Sequence, residues 1–103
     1  MKYKVKFSPM ALQDLDEIHR YISDILCDPT AADRILNGIL DKTDLLADQP
    51  EIGARLFFPS GLDSGYRYLI FENYLAFYRF VPDQVYIDRV IYGKRDYMRI
   101  LFE

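Results

Sequence analysis

Polar and apolar positions alternate at the start of the chain. In KYKVKF, residues 2–7, lysines take one side and Tyr3, Val5 and Phe7 the other, the period of a half-buried strand. The period then changes. Ser8-Pro9 offers a capping hydroxyl followed by a proline at the first helical position, where its missing N–H costs nothing. From there Leu12, Leu15, Ile18, Ile22 and Ile25 recur every three or four residues, the stripe of an amphipathic helix. Asp14, Asp16 and Glu17 fall in its first turns, where carboxylates suit the helix dipole. The pattern predicts an end near Cys27. Asp28-Pro29-Thr30 is a short break, with Thr30 as the cap of a second helix. Its stripe is Ile35, Leu36, Ile39, Leu40, Thr43 and Leu46, and Pro50 stops it. So short a link predicts an antiparallel helical hairpin.

Residues 52–65 mix Gly53, Pro59, Gly61 and Gly65 with Leu56, Phe57 and Phe58, which reads as a loop with a short strand at 55–58. Beyond it, YRYLIFE (66–72), YLAFYRFV (74–81) and VYIDRVIY (85–92) are rich in aromatic and β-branched residues. Glu72-Asn73 fits a tight hairpin turn with Asn at positive φ, and Pro82-Asp83 fits a type I turn. The expected fold is α+β, in the order β-α-α-β-β-β, with a twisted antiparallel sheet packed on an N-terminal helical hairpin. At 103 residues the chain has room for one domain, 1–103.

Composition adds limits. Half the residues are hydrophobic, enough to bury a core, so disorder is excluded. The single cysteine, Cys27, cannot form an internal disulfide, which fits a reducing cytoplasm. No apolar run approaches the ~20 residues that span a bilayer, and the basic N-terminus lacks the apolar run of a signal peptide. The expectation is a cytoplasmic protein with no membrane partner. Net charge is −3, unevenly spread. Lys2, Lys4 and Lys6 open the chain, residues 8–51 set ten acids against three cations, and residues 65–99 set six cations against four acids. A chain of mixed sign can still bind an anion on its basic face, because the local field matters more than the total.

Familiar catalytic sets are absent. His19 has no second histidine or cysteine nearby to make a metal site, and reads as structural or surface. Cys27 reads as a packing residue at a helix end. PSGLDSG lacks the lysine and the helix signal of a phosphate loop. Neither a cofactor nor a metal is expected. The remaining candidates lie on the sheet and its tail, YGKRDYMRIL. Alternation puts Arg67, Leu69 and Phe71 on one face of their strand, with Tyr66, Tyr68 and Ile70 on the other. Arg79 and Arg89 sit in the next strands, and Lys94-Arg95 follow Gly93 where the chain leaves the sheet, with Asp96 placed to hold one cation. Some of these cations pair with Glu72, Asp83, Asp88 or Asp96. The sharper expectation is an anion patch in which Arg67 and Arg95 act with Tyr92 or Tyr97, since guanidinium forks bind phosphate bidentately.

Taken in order, KYKVKFSPMALQDLDEIHRYI, the Pro50–Gly53 connection, GYRYLIFENYLAFYRF and VYIDRVIYGKRDY resemble the toxins of type II toxin–antitoxin modules, the RelE/ParE superfamily, over nearly the whole chain. The resemblance implies the β-α-α-β-β-β fold and a cognate antitoxin that wraps and silences the toxin. It also implies one of two poisons: ribosome-dependent mRNA cleavage in the RelE-like branch, or DNA gyrase inhibition in the ParE-like branch. The RelE-like motif matches Arg67 and Arg95. It expects cations where this chain has Leu69 and Leu75, and a tyrosine near Leu101 that Tyr97 replaces only with a shift in register. The resemblance thus names Arg67, Arg95 and Tyr97 as catalytic candidates, and the residues of the sheet and tail add Arg79, Arg89, Tyr92 and Lys94 as target- or anion-binding residues. LDEIHRYI, Ala31-Ala32 and NYLAFYRF followed by RVIY are ParE-like. Gyrase inhibition therefore ranks first and RNA cleavage second. A toxin-fold binding module without activity is the third reading.

Overall fold

Ser8 ends one element and starts the next in the computed structural model, which describes residues 2–102. It follows strand β1 (Lys4–Phe7) and caps helix α1 (Pro9–Arg20). Its Oγ accepts from the Ala11 N–H at 2.9 Å and donates to the Asp88 carbonyl at 2.7 Å. The helix is thereby capped and tied to the far end of the chain at one point. A π-helical turn, Tyr21–Ile25, prolongs α1, and Cys27 reverses the chain at φ 56. Helix α2 (Pro29–Asp44) is capped by Asp28, whose carboxylate accepts from the Ala31 N–H at 3.0 Å. The expected cap was Thr30. The residue before a proline is pushed out of the α region, so the boundary falls at Asp28.

The stripes are turned slightly from their expected phase. α1 buries Ala11, Asp14 and Leu15, and Ile22 follows in the π turn, whereas Leu12 and Ile25 are exposed. Ile25 lies where the wider π turn changes the helical phase. On α2 the buried set is Ala32, Ile35, Ile39 and Thr43, and Leu46 continues it in a 3₁₀ turn, Leu45–Ala47. Cys27 is exposed rather than packed.

Four further strands complete the sheet: β2 (Ala54–Phe57), β3 (Asp63–Phe71), β4 (Tyr74–Val81) and β5 (Gln84–Tyr92). Their order is β1-β5-β4-β3-β2. β2 to β5 pair antiparallel, but β1 pairs parallel with β5, in the register Lys6↔Tyr86. The sheet is therefore mixed. Periodicity fixes which face a residue takes, not which neighbour a strand chooses, and the helical hairpin is long enough to return the chain in parallel. In the β3–β4 hairpin Glu72, not Asn73, takes positive φ (53), and in the β4–β5 turn Asp83 does (76). Positive φ at the second central position, after Pro82, marks a type II turn where type I was expected.

The tail forms a short helix, α3 (Tyr97–Phe102), begun by Asp96, whose carboxylate accepts from the Arg99 N–H at 3.4 Å. Both faces of the sheet are thus covered in part. The hairpin side holds the main core, with Ile39, Leu46, Tyr78, Val85 and Ile87 almost fully buried. Gly38 lets α2 approach β3, since a Cβ there would lie 2.0 Å from the Phe71 ring. The α3 side holds a smaller cluster of Leu56, Phe77 and Ile91, against which Tyr97, Met98, Ile100 and Leu101 pack.

Candidate functional site

The sequence candidates divide into three groups. The first is structural in geometry. β4 and β5 lose register where Phe77 faces Arg89 and Tyr78 faces Ile87, leaving Asp88 as the extra residue of a bulge. A bulge re-aims the side chains beside it. Arg89 reaches Asp14 on α1 through both ends of its fork, at 2.7 and 2.9 Å, and Asp14 also accepts from the Val90 N–H at 3.0 Å. Their side chains are 17% and 9% exposed. The Asp14 carboxylate raises the Arg89 pKa above its ordinary value through those hydrogen bonds, against the cost of burial. This cation is fully engaged inside the fold.

Arg67 also makes internal contacts. Its Nη1 donates to the carbonyls of Glu51 and Gly53, each at 3.0 Å, and its guanidinium lies 5.8 Å from the Phe80 ring centre. Directly opposite on β4 is Tyr78. Its hydroxyl donates to the Pro50 carbonyl at 2.7 Å and accepts from the Gly53 N–H at 2.9 Å. A Cβ on Gly53 would fall 2.5 Å from that hydroxyl. The two side chains together hold the Pro50–Gly53 connection on the sheet. Burial raises the Tyr78 pKa, so the hydroxyl keeps its proton.

The second group is the exit from β5. Tyr92 packs on Tyr74, ring centres 5.6 Å apart, and burial followed by the neighbouring Tyr92 raises the Tyr74 pKa. Arg95 lines a cleft of about 580 Å³ with Glu17, Tyr21, Tyr74 and Tyr92. Lys94 and Tyr97 line a second cleft, about 340 Å³, with Tyr68, Ile70 and Leu75. Tyr97 stacks against Phe77 at 5.3 Å. Gly93 permits this exit: its N–H donates to the Asn73 carbonyl at 2.7 Å, and a Cβ would sit 3.2 Å from that oxygen. Lys94, Arg95, Tyr92 and Tyr97 lie at one end of the sheet but divide between two clefts, Tyr92 with Arg95 and Lys94 with Tyr97. Arg67 is not among them. Tyr78, level with Arg67, and Tyr74, level with Tyr92, lie four residues apart on β4, or roughly 14 Å along the strand. Arg67 thus lies well down the strand from the exit of β5.

The third group is on the open sheet face. Arg79 donates through Nε to Asp88 at 2.9 Å, and Tyr66 donates to the same oxygen at 2.9 Å. Donating to the Asp88 carboxylate raises the Arg79 pKa, and burial, then Asp88, raises that of Tyr66. Asp88 was among the acids expected to pair with these cations, whereas Asp14 and Tyr66 were missed as partners. Only Asp14 left a signal, as an acid in phase with Ala11, Leu15, Ile18 and Ile22. Away from these groups, His19 Nε2 meets Asp33 Oδ1 at 2.8 Å, linking α1 to α2. Among the described residues no cluster of His, Cys, Asp and Glu could hold a metal ion, and no helix is long and apolar enough to cross a membrane.

The family model for the ParE toxin of type II toxin–antitoxin systems, parDE, matches residues 5–97. Among solved structures, the chain is similar to the chromosomal ParDE toxin–antitoxin system from P. aeruginosa. The TM-score is 0.73 at 24% identity, covering 90% of this chain and 98% of that one. It is similar to the RelBE2 toxin–antitoxin complex from Mycobacterium tuberculosis at TM-score 0.65 and 23% identity, covering 89% and 99%. For YafQ from E. coli the values are 0.60 and 14%, covering 99% and 100%. No curated protein sequence matches. At such identities the structures speak for the fold alone, and membership rests on the sequence match across the domain. The chain belongs to the ParE toxin family and is a type II toxin–antitoxin toxin of the RelE/ParE superfamily.

Proposed function

We propose that this toxin acts without cutting RNA, by ParE-like inhibition of DNA gyrase, and that a cognate antitoxin neutralises it. The supporting observation is the state of the positions where an RNA-cleaving relative would carry its basic residues. Leu69 is 7% exposed and belongs to the main core. Leu75 packs against the cluster under α3. Arg67 spends its hydrogen bonds on the carbonyls of Glu51 and Gly53. RNA cleavage needs a base for the 2′-hydroxyl, cations for the phosphorane and an acid for the leaving oxygen. That set is incomplete here. Contact with the target is assigned to Lys94 and Arg95, with Tyr92 and Tyr97 beside them. Arg67 acts by positioning the adjoining loop. A gyrase target places the toxin in the cytoplasm. Met10, Leu12, Tyr21, Ile25 and Leu26, all more than half exposed, give the antitoxin an apolar surface for an amphipathic segment.

The second reading, RNA cleavage on the ribosome, is favoured by one observation: Lys94, Arg95 and Tyr97 lie at one end of the sheet. Purified toxin tested on gyrase supercoiling and on translating ribosomes separates the readings. Inhibited supercoiling, relieved by the antitoxin, with intact mRNA is the expected result. Codon-dependent cleavage at substoichiometric toxin makes the second reading correct. Folded protein harmless in both assays and in growing cells leaves a binding module.

A further inference from the structure

α3 covers only part of its sheet face, and the uncovered part is basic. Val5 and Phe7 pack into the main core, so Lys4 and Lys6 project from the opposite side of β1. The same holds for Tyr86, between Val85 and Ile87, and for Arg79, between Tyr78 and Phe80. The registers align them: Lys6 lies beside Tyr86, and Tyr86 beside Arg79. The Arg79 guanidinium stacks 4.9 Å from the Tyr86 ring centre. Asp88 bonds it through Nε, so the Nη end of the fork remains for another acceptor. Arg79 is 51% exposed, and neither lysine pairs with an acid among the described residues. On the far side of the molecule, residues 8–51 carry ten acids against three cations. A polyanion is drawn to one face and turned away from the other.

We propose that the row Lys6–Tyr86–Arg79, extended by Lys4, binds the phosphate backbone of duplex DNA. The inference stands apart from the choice of toxin target, and from Lys94 and Arg95. A duplex is favoured over a single strand because the one ring in the row, Tyr86, already carries a guanidinium on one face. Phe102 likewise meets the Tyr66 ring at 5.8 Å. Single-strand binders rely on open aromatic platforms, whereas backbone reading needs cations alone. A duplex also presents a phosphate charge every ~1.7 Å of its axis. Lys4 and Lys6, two residues apart on one strand, are spaced about 7 Å, so several phosphates lie within reach.

The test is fluorescence anisotropy of a labelled duplex of about 20 base pairs, with purified toxin across a salt series. Three phosphate contacts predict a slope of log K against log salt near about −2.7, or roughly 40-fold weaker binding from ~50 to ~200 mM salt. The triple variant Lys4→Gln, Lys6→Gln, Arg79→Gln should lose at least about tenfold in affinity at low salt and most of the slope, with an unchanged circular dichroism spectrum. Arg20→Gln with Lys42→Gln, two exposed cations on the helical hairpin, should bind the duplex like the parent. The following results overturn the proposal. They are no duplex binding at low salt, equal loss in both variants, tighter binding of the single-stranded oligonucleotide, and tighter binding of poly-glutamate, which would make the face a site for an acidic protein. If the folded triple variant binds as the parent does but aggregates faster, the lysines only protect the edge of β1, and the proposal fails.

Discussion

Two arginine–aspartate pairs on adjacent strands behave differently because of where the sheet puts them. Arg89 and Asp14 join the hairpin to the sheet, with side chains 17% and 9% exposed, and the carboxylate also takes the Val90 N–H. Arg79 and Asp88 lie on the open face, 51% and 20% exposed. The first pair has no water to fall back on. Removing one partner strands the other in a low-dielectric interior, which is the costly case. The second pair is screened and contributes little stability, but it holds a guanidinium in place on the open face. A charge that reads the same in the sequence is therefore a rivet on one face and a handle on the other.

The largest expected effect breaks the rivet. Asp14→Ala should lower unfolding stability by about 3–5 kcal/mol in urea titrations, because Arg89 stays buried without its counter-charge. Asp88→Ala should cost about 1 kcal/mol. Equal losses would erase the distinction between the faces.

Next comes the hydroxyl that pins the loop beside Arg67. Tyr78→Phe leaves the Gly53 N–H and the Pro50 carbonyl without their buried partner, a cost of about 1–3 kcal/mol by denaturant midpoint. A neutral result would mean that Arg67 alone holds the connection.

The tyrosines give a pH test of the same contrast. Tyr66, Tyr74 and Tyr78 each have a pKa raised above 10.0, with burial the first cause. The folded state then holds these protons more tightly than the unfolded chain. Their contribution to stability is complete below the unfolded value near ~10 and is lost as pH rises from there through the folded values. Denaturant midpoints should be flat from about pH 7 to 9 and fall above about 10, and Tyr78→Phe should reduce that fall. No change in slope would place these hydroxyls in water.

The smallest stability effect belongs to the tail. Arg95→Ala should shift stability by no more than about 0.5 kcal/mol yet reduce toxicity in an induced-expression growth assay. Unfolding would make Arg95 another rivet. Normal folding with full toxicity would move the active surface to the helical hairpin.

Much of this fold was legible because hydrophobic period is a local property. The β1 alternation, the Ser8 cap, the two helices and the three long strands follow from neighbours a few residues apart. The short strand at Ala54–Phe57 was visible but weak, because four residues hold too few alternations to stand out. The α3 helix was not visible. Six residues carry little helical signal of their own, and these are held by Leu56, Phe77 and Ile91, far away in the chain. The candidate site was legible as a set of residue types, not as a set of neighbours. Arg67 and Arg95 read as partners because both are arginines on or just after a strand and both match one motif.

The sequence alone determined the type and order of the main elements and most of the residues that face inward, since each depends on spacing along the backbone. Tertiary structure decided three things that no local pattern encodes. It chose the parallel seat of β1 beside β5, set the Asp88 bulge that swings Arg89 onto Asp14, and spaced Arg67 from Arg95 across the sheet. Each arises from pairing between segments distant in the chain, where one extra residue in one strand re-aims the side chains beside it and so decides which cation is buried and which is free to bind.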